Sequence, residues 1–130
     1  MMQIERQLVA LPEVFRIDHS TDGTLRGDDD WIAIVRAPEG LTVIRLADSD
    51  ERWVGFYGED PHDLDAAGML AVVLSPLSSE GISVFVASTF HSDLVLVPEE
   101  SKPAAISALR AAGHRVREAR SHESSLFGPS

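Results

Sequence analysis

Ser88, Thr89, His91, Ser92 and Asp93 place three hydroxyls, an imidazole and a carboxylate within one short stretch of the chain. Ser88, His91 and Asp93 are the residue types of a nucleophile, base and acid triad. Such groups normally converge from separate segments, so their closeness here argues against one. No G-x-S-x-G elbow is present. His19, His62, His91, His114 and His122 are scattered and form no H-E-x-x-H or comparable metal spacing. Asp28-Asp29-Asp30 could meet a hard cation, but the run lacks the Gly and distal Glu of a calcium loop and reads as solvated acid. The loop Gly58-Glu59-Asp60-Pro61-His62 has acids but no glycine-rich phosphate cradle. The expectation is a non-catalytic protein without catalytic residues, metal or cofactor. The Ser88–Asp93 turn instead offers polar groups to a small ligand.

The flanking segments must position that turn. Gly81 to Ala87 reads as a strand, with Ile82, Val84 and Val86 on one face and Ser83, Phe85 and Ala87 on the other. Leu94 to Val97 is apolar at every position, as in a strand covered on both faces or at a subunit contact. The connection Ser88-Thr89-Phe90-His91-Ser92 lacks Gly and Asn, which excludes a tight two-residue hairpin. A helix precedes the pair, capped by Asp63 or Asp65 and running to about Ser79. Leu70, Val73, Leu74 and Leu77 form its buried stripe, Pro76 loosens its last turn and Gly81 ends it. A second helix follows, with Ser101 as N-cap, Pro103 in the first turn, Ile106 and Leu109 inward and Gly113 at its end. His114 to Glu118 reads as a last strand.

Earlier in the chain, Leu8 to Asp18 reads as a strand, with Pro12 at an edge or bulge. Trp31–Arg36 and Leu41–Leu46 form a hairpin through Ala37-Pro38-Glu39-Gly40, a type I turn sequence. Arg52 to Tyr57 is a further strand. From there the order is β-α-β-β-α-β, the ferredoxin-like plan of an antiparallel sheet with both helices on one face. The expected class is α+β. It divides into an N-terminal three-stranded half (residues 1–50), a βαββαβ unit (51–118) and a flexible polar tail (119–130).

Composition bounds the partners. The 130 residues carry a net charge of -10, which disfavours nucleic acid and acidic lipid surfaces. There is no Cys, so disulfides and thiolate chemistry are excluded. No basic, apolar leader and no apolar run of roughly 20 residues is present, so the expectation is a cytoplasmic protein away from membranes. Nearly all basic residues are Arg and Asn is absent, a bias pointing to a GC-rich bacterial genome.

The segments Gly68-Met69-Leu70-Ala71, Leu77-Ser78-Ser79-Glu80-Gly81-Ile82-Ser83-Val84-Phe85, Ser88-Thr89-Phe90-His91-Ser92-Asp93 and Leu109-Arg110-Ala111-Ala112-Gly113-His114 resemble the ACT-domain proteins of the arginine-sensor (CASTOR-type) ACT family, which include small stand-alone bacterial members. The resemblance extends from Leu8 to Arg117 and is strongest over Gly68–Val97. It implies an ACT-like half unit followed by a complete ACT unit, and a regulatory domain that binds an amino acid at an interface between ACT units. Gly81, Ile82, Ser83 and Val84 would supply backbone groups, while Ser88, Thr89, Phe90 and Asp93 would line the same site. It assigns nothing to His91 or Ser92. The implied partners are an amino acid, a second copy in a homodimer and an unidentified effector protein.

The chemistry agrees with that implication. A carboxylate such as Asp93 suits an ammonium, and backbone N–H groups near Gly81 suit a carboxylate. Each residue also has a plainer reading. Gly81 ends a helix, Ser88 and Thr89 satisfy turn amides, Asp93 is a solvated turn residue, and Phe85 and Phe90 belong to a core. The alternative function is therefore a ligand-free assembly module with the same fold.

Overall fold

The computed structural model describes residues 4–24, 31–47, 50–60 and 68–119. Its organising element is the long first strand, β1 (Gln7–Ser20). The other strands are β2 (Trp31–Ala37), β3 (Gly40–Leu46), β4 (Trp53–Gly58), β5 (Phe85–Ser88), β6 (Asp93–Pro98) and β7 (Arg115–Glu118). The helices are α1 (Ala71–Ser79) and α2 (Lys102–Ala111), the latter entered through a 3₁₀ turn at Glu99–Ser101. All seven strands form one sheet in the order β2-β3-β1-β4-β6-β5, with β7 pairing β1.

β1 has β4 along one edge. Along the other edge lie β7 and then β3, end to end. Gln7–Ala10 pair in parallel with Arg115–Glu118, and Phe15–Ser20 pair antiparallel with Leu41–Leu46. The register against β4 shifts between Ala10 and Val14, so Pro12 sits in an irregular stretch where no ladder N–H is required.

The mixed sheet and its two helices are consistent with an ACT-like fold, with one correction. The ferredoxin-like plan expects β7 beside β4, but β1 lies between them. The two expected sheet units are therefore one sheet. The physical reason is burial: Leu8, Val9 and Ala10 are at most 7% exposed and need a strand on each side. Only the far C-terminal strand supplies the second.

The sheet has two apolar faces. Alternate residues Leu8, Ala10, Val54, Phe56, Val95 and Val97 pack under α1 and α2, against Val73, Leu77, Ala105 and Leu109. Phe15, Ile44, Leu94 and Leu96 form the second core on the opposite face. Residues 94–97 are thus buried on both sides, as expected. Ile32 and Ala33 of β2 and Phe85 and Ala87 of β5 all pack on that second core. These strands stand at opposite ends of the strand order, so the sheet curls until its two edges approach.

The local signals mostly act as read. No described non-Gly residue has positive φ, which excludes a primed turn at Pro38-Glu39, and Gly40 alone adopts φ +135° there. Gly81 (φ +70°) closes α1 with two bonds, Gly81 N–H to Ser78 O and Ile82 N–H to Leu77 O. This is a Schellman motif, and Ile82 packs beneath it on the helix-side core. Two caps differ. Asp63 and Asp65 lie outside the described residues, and Leu70 occupies the N-cap of α1. Ser101 does sit at the N-cap of α2, but its side chain makes no capping bond, because the preceding 3₁₀ turn already holds it in helical geometry.

Candidate functional site

The β5–β6 hairpin presents the expected turn. Ser88 pairs with Asp93 in the last rung, leaving Thr89–Ser92 as a four-residue loop. This matches the absence of Gly and Asn. Thr89 N–H donates to Ser92 O at 2.8 Å, and Ser92 N–H donates to Thr89 Oγ1 at 3.0 Å. The Thr89 hydroxyl also lies 3.0 Å from the Tyr57 hydroxyl on β4, which pins the loop to the sheet. Ser88 Oγ donates to Asp93 Oδ1 at 2.8 Å.

The hydroxyls therefore shape the turn, as their plainer reading anticipates. Asp93 differs from its plainer reading, since only 6% of it is exposed. Phe90 is 71% exposed, with His91 edge-on at a centroid distance of 4.8 Å. It belongs to no core of this chain.

Gly81–Val84 stand at the other end of β5. The strand begins at Phe85, so Ile82, Ser83 and Val84 are irregular rather than paired. Ser83 and Val84 are exposed and Ile82 is half-buried. A Cβ on Gly81 would meet nothing within 4 Å. Its positive φ, not a close approach within the chain, is what requires glycine. A four-residue strand is roughly 13 Å long. The two candidate segments thus flank β5 and do not surround one point.

Between them runs an open cavity of about 660 Å³. It is lined by residues 32–35 of β2, Thr42 and Ile44 of β3, and all four residues of β5. Consecutive residues of a strand point to opposite faces, so a wall made of four in a row is a strand edge. The cavity is the gap between the two edges of the curled sheet, with Ser88 at one end and Phe85, next to Val84, at the other. No single stretch of sequence signals it, because its walls are about fifty residues apart.

A second polar cluster also escaped sequence reading. The Arg6 guanidinium is 1% exposed. Its Nε lies 3.0 Å from Asp60 Oδ2, it donates to Met69 O, and Nη2 reaches Ser92 Oγ at 3.4 Å. Gly58 leaves room for this, since a Cβ there would collide with Ser92 Oγ and Arg6 Nη2. Arg6 N–H donates to His114 Nδ1 at 3.0 Å, and His114 Nε2 lies 2.8 Å from Val72 O. Arg6 thereby connects β1, β4, α1, β7 and the back of the turn. Among the described residues, no group of three His, Asp or Glu could hold a metal ion. No helix among them is long and apolar enough to cross a membrane.

This arrangement, a curled sheet under two helices with a hydroxyl-rich hairpin turn, can be set beside known proteins. Residues 48–111 match the family model of the ACT domain. The match supports an ACT-domain protein, and ACT domains are in general regulatory, small-molecule-binding domains. It contains Gly81–Val84 and the whole Ser88–Asp93 turn. A crystal structure of a protein from Agobacterium tumefaciens is similar at a TM-score of 0.79 and 26% identity, covering 92% of this chain and 98% of that one. A protein of unknown function from Vibrio cholerae, described as a possible transport protein, shares the fold at a TM-score of 0.66 and 22% identity, covering 78% of this chain and 85% of its own. No curated protein matches this chain.

Proposed function

We propose that the chain is a regulatory, non-catalytic ACT-domain protein that binds an amino acid at the interface between its N-terminal half and its ACT unit. One observation carries this reading. The cavity lies where β2 and β3, from residues 1–50, face β5, from residues 51–118, and Ser88 of the family-like turn opens into it. Asp93, bonded to Ser88, is the acceptor for the ammonium. Thr89 holds the turn in place, and Gly81–Val84 border the opposite end.

The arginine-sensor type of ACT protein supplies a functional analogy, with a cytoplasmic setting and an unidentified effector as target. A thermal-shift screen of the full chain against the twenty amino acids tests the reading. A ligand that binds only the native state raises its stability, by about 2.7 kcal/mol at a hundredfold excess over Kd. A screen in which no amino acid raises the melting temperature at millimolar concentration refutes it.

A second reading has its own support. The Ser88, Thr89 and Ser92 hydrogen bonds are largely internal to the turn, while Phe90 and Val84 are exposed beside it. These exposed apolar groups suit contact with a second copy, so a homodimer is expected under either reading. Dimerisation with no ligand-induced stabilisation would favour the assembly module.

A further inference from the structure

We propose that His114 is a proton-operated latch: its neutral ring holds α1, the start of β1 and the β5–β6 turn together, and its charged ring releases them. The latch does not depend on the amino acid reading above. Pro76 creates the need for it. An α-helix would close Val72 O with the N–H of residue 76, and a proline there has none. His114 Nε2 lies 2.8 Å from that carbonyl and supplies the donor that Pro76 lacks. The other ring nitrogen, Nδ1, accepts the Arg6 N–H at 3.0 Å. Arg6 O in turn accepts the Arg115 N–H at 2.9 Å, at the point where the β1–β7 ladder opens.

Only the neutral ring, with its proton on Nε2, makes both bonds. A second proton on Nδ1 would set N–H against N–H at a buried position. Both ring partners are backbone groups, so no carboxylate is bonded to the ring to hold a charge there. α1 carries no acidic or basic residue. On the other elements packed here, Arg6 is paired with Asp60, Arg115 with Glu5, and Arg110 is bonded to Val116 O. An open pocket of about 210 Å³, lined by the ring with Ile4, Val72, Ser75, Pro76 and Ala112, gives water a way to the imidazole. From the latch the connection runs on to the turn. Arg6 Nη2 lies 3.4 Å from Oγ of the buried Ser92, whose N–H donates to Thr89 Oγ1. Freeing the Arg6 backbone therefore loosens the support behind Ser92.

Amide exchange followed by NMR on the full chain tests this, from about pH 7.5 to about pH 5, the range in which imidazoles charge. Protection of the Arg6 and Ser92 amides, corrected for the intrinsic exchange rate, should fall about tenfold or more as the His114 ring nitrogen signals report charging. His114→Gln and His114→Phe remove that titration. In whichever of them keeps a cooperative melt at neutral pH, neither amide should show the fall. His91 stands in the turn itself, so the fall should persist in His91→Gln. A ring that stays neutral to the acid end, or an Arg6 amide that stays protected while the ring charges, overturns the latch, and both are read on the wild type. An equal fall without His114 overturns the assignment to this residue. A response at Arg6 without one at Ser92 overturns the link to the turn.

Discussion

The hydroxyl of Ser88 donates to Asp93 Oδ1 at 2.8 Å across the last rung of the β5–β6 hairpin. This bond orients a nearly buried carboxylate, and Ser88 itself stands at one end of the open cavity. Asp93→Ala should remove both the orienting bond and the ammonium acceptor. A charge-assisted bond contributes about 1.5–3 kcal/mol, so affinity should fall about tenfold to hundredfold. Ser88→Ala should cost less, because a neutral donor is weaker. Equal ligand affinity in wild type and Asp93→Ala, measured by calorimetry, would remove Asp93 from the site.

Gly81 holds φ +70° at the end of α1 with open space around it. Gly81→Ala should lower stability by about 1–2 kcal/mol, the cost of left-handed backbone for an L-residue. Gly81→Asn should cost less, since Asn tolerates that region, and Gly81→Val should cost more. Chemical denaturation gives the order. A Val variant as stable as the Asn variant would show that helix termination does not depend on this residue.

His114 accepts from Arg6 N–H at Nδ1, so the neutral ring carries its proton on Nε2 and donates to Val72 O. His114→Phe orphans a buried N–H and a buried carbonyl. The expected loss is about 1–3 kcal/mol by denaturant unfolding, with no direct effect on ligand affinity. Retained stability would mean that water replaces the ring.

Glu99 is held below its ordinary value of 4.5 by a hydrogen bond from Arg52, and Glu118 is lowered by a hydrogen bond from Lys102. Both carboxyls are therefore more acidic folded than unfolded. Their contribution is fully present above the unfolded value and is lost as pH falls through the lowered folded values. Thermal melting should show stability declining below about pH 4.5, and salt should shrink the effect because both pairs are exposed. Stability that rises as the pH falls below that point would contradict it.

Local features were legible in the sequence, and the relations between distant segments were not. Pro38 and Gly40 mark the β2–β3 hairpin through turn chemistry, and Gly81 marks a helix end through backbone geometry. Leu94–Val97 announces a doubly covered strand by composition alone. The Ser88–Ser92 connection reads as a multi-residue loop because it holds no Gly or Asn. By contrast, nothing around Leu8 reveals that its second neighbour is Val116, because parallel pairing leaves no local trace. Arg6 follows Glu5 in a stretch with no motif, and its burial depends on Asp60, Met69 and Ser92 arriving together. The cavity walls meet only after the sheet has curled.

The pairing of Leu8 with Val116 has a consequence for how the molecule comes into being. A strand made early is completed by one made about a hundred residues later. Until residues 115–118 are made, the segment Leu8–Ala10 has one apolar edge without a neighbour. Completion of the sheet must therefore wait for residues 115–118, and contacts this distant in sequence form slowly. An ACT unit cut free at residue 51 would lack the strand that separates β4 from β7. Truncation from either end should thus unravel the same place in the sheet.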